Sequence, residues 1–239
     1  MKLNIAHLYP DLLNLYGDSG NILCLKKRCE WRGIDCAVTP LLSGHDFNFE
    51  DFDIIFIGGG QDREQKLVLN DLTVKKRDSL CRAVEKGAVV LAVCGGYQLL
   101  GRFYETASGE RLDFTGILDF YTCSGDKRLI GNYEFKTAEK IRIIGFENHS
   151  GRTYLGSGAA PLGKVIKGFG NNGADKTEGA RYKNTFCTYC HGPILPKNPD
   201  FADMLIKTAL SAKYNSVELA PLDSSVEILA RRQIRDLYI

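Results

Sequence analysis

The sequence lacks the long apolar runs of membrane proteins and the pattern of a secretory signal. No stretch of the 239 residues approaches the roughly 18 consecutive apolar residues needed to span a bilayer. The N-terminal segment MKLNIAHLYPDLLNLYGDSGN has one lysine and early aspartates, unlike the apolar core of a signal peptide. These absences predict a cytoplasmic protein with no transmembrane segment, in which the eight cysteines are reduced thiols.

An excess of charge of one sign is also missing. The chain has 31 basic and 29 acidic residues and a net charge of +2, and neither sign forms a long block, so nothing points to nucleic acid as a partner. The phosphate-binding pattern Gly-x-x-x-x-Gly-Lys-Ser/Thr is absent as well. We therefore expect the chain to bind no cofactor or metal and to leave any ATP chemistry to another polypeptide.

The first hundred residues alternate between short apolar runs and amphipathic stretches. This rhythm is typical of strand–helix–strand units around a parallel sheet. We predict one domain over residues 1–239, of α/β class, with an open, mostly parallel sheet flanked by helices. The predicted strands are 2–9, 34–41, 53–57 and 88–93, the last two buried on both faces, and the predicted helices are 20–31 and 72–86. The closing segment SSVEILARRQIRDLYI reads as a capped amphipathic helix.

Cys94 stands in the segment LAVCGGYQLLG, directly after a predicted strand and before two glycines and a helix. This order is typical of a nucleophile elbow, where a sharp turn lifts the side chain above the sheet. A helix N-terminus also favours the thiolate, so the pattern predicts a lowered thiol pKa. The alternative is a structural cysteine in the core.

A second cysteine pattern lies at Cys187-x-x-Cys190-His191, in TFCTYCHGP. It matches the attachment pattern of c-type haem, and two cysteines and a histidine also suggest a zinc module. Haem attachment normally requires export, for which the sequence shows no signal. A haem or zinc module therefore remains the less favoured alternative.

Together these segments resemble the class I glutamine amidotransferases, in particular their cobyric-acid-synthase-like branch. The family's Gly-x-Cys-x-Gly with a later glutamine matches Cys94, Gly96 and Gln98, although Ala92 stands where the first glycine is usual. GFENHSGRT and TYCHGPIL, residues 145–153 and 188–195, are also similar to the branch. The resemblance implies the flavodoxin-like class I amidotransferase fold and assigns His191 as the general base that serves Cys94.

Three further segments, LYGDSGN, IGGGQDREQ and KRLIGNYE, resemble the glutaminase subunits of lipid II isoglutaminyl synthases. This resemblance implies hydrolysis of L-glutamine and a heterodimer with a MurT-like synthetase subunit. The partner would use ATP and Mg²⁺ to amidate the D-glutamate of lipid II with the released ammonia. Two alternatives remain open, a cobyric-acid-type amidotransferase subunit and a stand-alone cysteine hydrolase.

Four other residues have candidate roles around the nucleophile. The backbone N–H groups of Gly95 and Gly60 are candidate oxyanion donors, although the triple glycine at 58–60 also suits a simple tight turn. The resemblance places Arg128 on the α-carboxylate of glutamine, against an ordinary solvated arginine. Gln98 lies one helical turn beyond Cys94, where it either contacts substrate or packs between helix and loop.

An acid two residues after the histidine, common in these amidotransferases, is missing, because Pro193 stands there. We expect the synthetase partner to supply the orienting carboxylate across the interface, with Asp18 or Glu147 as internal alternatives. The favoured reading of Asp18 is nonetheless a helix N-cap. His149 is expected to be structural or to line the pocket, outside the catalytic pair.

Overall fold

The computed structural model describes all residues, 1–239, and contains twelve strands and seven helices. The strands are β1 Lys2–Leu8, β2 Asp35–Leu41, β3 Ile54–Ile57, β4 Val89–Val93, β5 Phe103–Glu105, β6 Arg111–Asp113, β7 Phe120–Thr137, β8 Arg142–Leu155, β9 Gly163–Lys167, β10 Thr177–Glu178, β11 Ala180–Tyr182 and β12 Thr185–Thr188. The helices are α1 Ser19–Glu30, α2 Asp62–Asn70, α3 Arg77–Glu85, α4 Gly95–Leu99, α5 Ile194–Lys197, α6 Pro199–Tyr214 and α7 Ser225–Tyr238.

The central sheet has the strand order β11-β12-β4-β3-β1-β2, with every pair parallel except β11 against β12. Every residue of β3 and β4 is buried, because strands of a parallel sheet are covered on both faces. The predicted fold class, an open, mostly parallel sheet flanked by helices, is confirmed. The carboxyl ends of β3, β4 and β12 meet at one edge, where open α/β sheets bind their ligands.

A second sheet, which the sequence analysis did not predict, covers part of this edge. Its strand order is β10-β9-β7-β5-β6, and β8 pairs with β7. Strands β7 and β8 form a long antiparallel hairpin whose register shifts between Ser124 and Leu129. That irregularity interrupts the alternation of the strand and carries Arg128 out of regular pairing.

The helix predicted over 72–86 starts earlier, at Asp62. It consists of α2, a wide π-type turn over Asp71–Lys76, and α3. The wide turn buries the ion pair between Lys76 and Asp71. The Asp71 carboxylate also accepts a hydrogen bond from the Tyr9 hydroxyl at 2.8 Å. Apolar periodicity does not indicate the start at Asp62, because the first turn of α2 is charged.

Helix α7 is present, but its predicted cap is wrong. Ser224 precedes the helix without a side-chain capping bond and instead accepts a hydrogen bond from Arg28 at 3.2 Å. No residue of α7 is buried, so the helix lies on the surface. None of the seven helices is both long enough and apolar enough to cross a membrane.

Candidate active site

Cys94 occupies a strained turn between β4 and α4. Its backbone has φ 48° and ψ −104°, a conformation that costs a residue with a side chain about 1–3 kcal/mol. The Cys94 N–H donates to Thr188 O at 2.8 Å, which ties the turn to the neighbouring strand β12. The predicted nucleophile elbow therefore has the expected backbone geometry.

Two glycines after Cys94 let the loop 58–60 pack directly against this turn. A Cβ on Gly95 would lie 2.4 Å from Gly60 O, and one on Gly96 would lie 2.7 Å from Gly58 O. The Gly96 N–H donates to Gly58 O at 3.1 Å. Gly95 and Gly60 thus lie side by side next to Cys94, as an oxyanion hole formed by their N–H groups would require.

His191 follows β12, the strand beside β4, so both catalytic candidates lie beyond the ends of adjacent parallel strands. Its N–H donates to Phe146 O at 2.8 Å. The imidazole is fully buried, and neither ring nitrogen has a hydrogen-bond partner. The ring of Tyr16 packs edge-on against it at 4.9 Å between centroids. The hydrogen bond of a catalytic pair is therefore not formed in the isolated chain.

Asp18 lies next to the histidine, and the N-cap interpretation of its side chain is wrong. The carboxylate makes no capping bond to α1; Oδ2 accepts the Gly59 N–H at 2.7 Å instead. Oδ2 also lies 3.8 Å from Nδ1 of His191, while Oδ1 is buried without a partner. A Cβ on Gly59 would lie 2.8 Å from His191 Cε1, so this contact depends on a glycine at position 59.

The expected lowering of the Cys94 pKa is also wrong. Burial raises the pKa of the Cys94 thiol to about 12, and the Asp18 charge adds to the rise, against the Gly95 backbone and Arg128, which lower it. Burial likewise lowers the pKa of His191 to about 3, with further lowering by His149, Lys197 and Arg128. Desolvation outweighs the short helix α4, so both groups are neutral near pH 7.

A cleft of about 230 Å³ opens beside Cys94. Arg128 lines it, as do Gly60 and Gln98. The Arg128 guanidinium donates from Nε to Asn148 Oδ1 at 2.7 Å and from Nη2 to Asn148 O at 3.0 Å. Asn148 in turn donates to the hydroxyl of Tyr16. Arg128 is exposed at the mouth of the cleft, and these bonds hold its guanidinium there; its binding of the glutamine carboxylate stays a prediction.

Gln98 and His149 both line the cleft, although their polar groups are largely engaged within the protein. Gln98 accepts from Gln65 Nε2 at 2.9 Å and donates to the Tyr189 hydroxyl at 3.2 Å. His149 Nδ1 lies 2.8 Å from Gly151 O, and its ring stacks on Tyr189 at 3.6 Å. His149 lines the pocket as predicted, and the contacts of Gln98 correspond to the predicted packing role.

Glu147 has other partners than His191. Its two carboxylate oxygens accept the N–H groups of Phe169 at 2.8 Å and Gly170 at 2.9 Å, and Oε2 lies 3.7 Å from His149 Nε2. These bonds fix the loop that follows β9. Of the two internal candidates for orienting His191, the structure places only Asp18 beside it.

The cysteines of the haem-like pattern belong to the hydrophobic core. Cys187 lies in β12 opposite Ala92 of β4 and is fully buried. Cys190 is equally buried and packs so closely on Gly145 that a Cβ there would lie 1.9 Å from its sulfur. A porphyrin could reach these thiols only if the sheet came apart.

The sequence also matches known proteins over most of its length. The model of the CobB/CobQ-like glutamine amidotransferase domain matches residues 4–199. The GatD subunit of lipid II isoglutaminyl synthase (glutamine-hydrolyzing) from Staphylococcus aureus is 44% identical over 98% of this chain and 96% of its own. The GatD subunit from Streptococcus pneumoniae is 45% identical over 89% of this chain and 82% of its own.

The fold has solved relatives at much lower sequence identity. A glutamine amidotransferase from Thermotoga maritima is 12% identical and superposes with a TM-score of 0.55, over 98% of this chain and 94% of that one. The fold is therefore that of the class I glutamine amidotransferases. Because the CobB/CobQ-like domain matches residues 4–199 and both GatD subunits are matched over most of their length, the chain belongs to the CobB/CobQ-like glutamine amidotransferase family.

Proposed function

We propose that the chain is the glutaminase subunit of a lipid II isoglutaminyl synthase. It hydrolyses L-glutamine and passes ammonia to a MurT-like, ATP-dependent synthetase subunit, which converts the D-glutamate of the lipid II stem peptide to D-isoglutamine. The observation that carries the proposal is Cys94, strained at the elbow and open to a cleft that also presents Arg128, in a chain similar to GatD subunits over nearly its whole length.

The reaction follows from a thiol and an imidazole that are both neutral at rest. His191 accepts the Cys94 proton as the sulfur attacks the carboxamide carbon of glutamine. The carbonyl oxygen gains the negative charge and is stabilised by the N–H groups of Gly60 and Gly95. The intermediate expels ammonia, which takes its proton from the imidazolium, and leaves a γ-glutamyl thioester. Water then releases glutamate and restores the thiol.

The isolated chain holds no carboxylate within hydrogen-bond distance of His191 to stabilise its imidazolium. The Asp18 carboxylate lies 3.8 Å from Nδ1 of His191, beyond hydrogen-bond distance. We propose that Asp18 supports a slow reaction in the isolated subunit and that an Asp or Glu of the partner orients His191 in the complex. Tyr16 covers the imidazole and is itself exposed, so the partner would approach over this residue.

The remaining chemistry belongs to the partner under this proposal. The chain has no Walker-type phosphate loop, and the synthetase subunit is assigned ATP, Mg²⁺ and the binding of lipid II. Assembly would take place in the cytoplasm, where ATP is available. The active form is a heterodimer in which glutamine hydrolysis is coupled to the presence of the acceptor enzyme.

The test uses glutamine labelled with ¹⁵N in the side-chain amide. The chain should release glutamate slowly alone and faster with the synthetase subunit, and the label should appear in the amide of the amidated lipid II. Cys94→Ser in the same complex should abolish both while exogenous ammonium restores amidation. Full glutamate release without any partner would instead favour a stand-alone hydrolase. Labelling of a corrinoid acceptor would favour the cobyric-acid type.

A further inference from the structure

The cleft beside Cys94 contains charges of both signs. Among its lining residues Arg63 and Arg128 are cationic, and Asp62 is the one acidic side chain. Asp62 follows the glycine loop 58–60 and begins helix α2. A free amino acid carries a carboxylate and an ammonium on the same carbon atom. Arg128 suits the carboxylate, and the ammonium also needs an acceptor within the cleft.

Asp62 is free to provide that acceptor. Its neighbours cap the helix: Gln61 and Glu64 form a reciprocal capping box, with the Gln61 N–H donating to Glu64 Oε2 at 3.1 Å. Asp62 itself forms no side-chain hydrogen bond and no salt bridge, unlike Arg128, which Asn148 holds. The carboxylate of Asp62 is therefore available to a ligand without breaking an internal contact.

The Asp62 and Arg128 charges act on the same groups in the cleft. Asp62 raises and Arg128 lowers the pKa of the Cys94 thiol. Asp62 also raises and Arg128 also lowers the pKa of the Tyr104 hydroxyl, although burial is the largest cause of its rise. The charges of Asp62 and Arg128 therefore both act on the Cys94 thiol. When the amide of a bound glutamine meets the sulfur, the ammonium and carboxylate on its α-carbon also lie close to the thiol, where these two side chains can pair with them.

We propose that Asp62 binds the α-ammonium group of glutamine and, together with Arg128, restricts the cleft to zwitterionic α-amino acid amides. This inference rests on the proposed glutaminase function and adds a specificity-determining residue to that site. An amide acid that lacks the amino group would keep the contact to Arg128 but leave Asp62 unpaired and facing the ligand. Such a compound should therefore bind more weakly than glutamine.

The test compares L-glutamine with 4-carbamoylbutanoate, the same molecule without its α-amino group. Binding of both is measured by calorimetry in Cys94→Ser protein, and hydrolysis of both in otherwise unchanged protein. Asp62→Asn should weaken glutamine binding and lower its kcat/KM about 10- to 100-fold, the range for loss of a hydrogen bond to a charged group. The affinity and the kcat/KM for 4-carbamoylbutanoate should change less than about threefold in the same variant. Asp46→Asn, an exposed acid outside the cleft, is the matched charge control.

The outcomes separate this inference from the proposed function. An equal loss for both compounds, or no loss for either, would overturn the role of Asp62. Selective loss of glutamine binding in Asp62→Asn protein, without hydrolysis by the unmodified chain or its complex, would support Asp62 and reject the glutaminase. Failure of the Cys94→Ser protein to bind glutamine at all would overturn the inference.

Discussion

Replacement of Asp18 by asparagine should make the protein more stable and less active. The carboxylate is fully buried, accepts the Gly59 N–H at 2.7 Å and lies 3.8 Å from His191 Nδ1. Asparagine has nearly the same size, and its side-chain oxygen can still accept the Gly59 N–H. The substitution therefore removes the charge and leaves the packing of the loop in place.

The gain in stability follows from the pKa of Asp18, which burial raises from 3.8 to about 7. The folded protein holds this proton more tightly than the unfolded chain, so the charge destabilises the fold increasingly between pH 4 and pH 7 and fully above. This rise in the pKa of Asp18 corresponds to at most about 4 kcal/mol in the free energy of unfolding. Urea unfolding of the Asp18→Asn variant should show most of this gain at pH 8 and little of it at pH 4.

The loss of activity follows from the distance to His191. Two opposite charges about 4 Å apart interact by about 4 kcal/mol at an effective dielectric constant of about 20, which corresponds to about 10³-fold in rate. At pH 8 we expect a fall in glutaminase kcat approaching this factor for the isolated chain. Wild-type kcat should also fall as the pH drops through about 7 and Asp18 takes up a proton, whereas the variant should lack this step.

Measurements on the complex then separate the two carboxylates. If the partner orients His191, Asp18→Asn should lower the rate of the complex far less than that of the isolated chain. An equal loss in both would reject the partner-supplied carboxylate. An unchanged kcat in the isolated chain, with an unchanged pH profile, would refute any role of Asp18 in the reaction.

Three further predictions concern the other site residues. Cys94→Ser should lower glutamine hydrolysis by at least about 10³-fold with an unchanged circular dichroism spectrum, and near-normal turnover would reject the thiol mechanism. His191→Ala should remove activity, whereas Cys187→Ser with Cys190→Ser should keep most of kcat and lower the free energy of unfolding by about 1–3 kcal/mol per buried hydroxyl. An inactive double variant that has also lost a visible absorption band would revive the haem interpretation. Arg128→Ala should raise the KM for glutamine about 10- to 100-fold with a smaller change in kcat, and an unchanged KM would exclude the carboxylate contact.

Much of the central fold could be predicted because its signals are local. The runs that became β3 and β4 are apolar throughout, as expected for strands covered on both faces. The second sheet was not predicted, because β7 and β8 pair over long segments whose polar and apolar residues do not alternate cleanly. Their pairing depends on contacts between strands, and a single sequence does not display these contacts.

The candidate site, like the fold, could be predicted only where its signals are local. The elbow at Cys94 could be predicted because a strand, a cysteine, two glycines and a helix follow one another in the chain. A polar residue before a helix usually caps it, so the sequence favours an N-cap at Asp18, and only the folded chain shows that its carboxylate turns to Gly59. Asp62 gave no local signal as a binding residue, since its position in the first turn of α2 suits an ordinary acidic helix start.

By itself, the sequence predicted the four strands β1 to β4 of the central sheet and the elbow turn at Cys94 and, through family motifs, made His191 and Arg128 candidates for the site around it. Only the tertiary structure decided which charges meet: Asp18 beside His191, and Asp62 and Arg128 in one cleft. It also reversed the expected direction of the Cys94 pKa. The physical reason is that burial and distance, which set the strength of electrostatic interactions, arise from segments far apart in the chain.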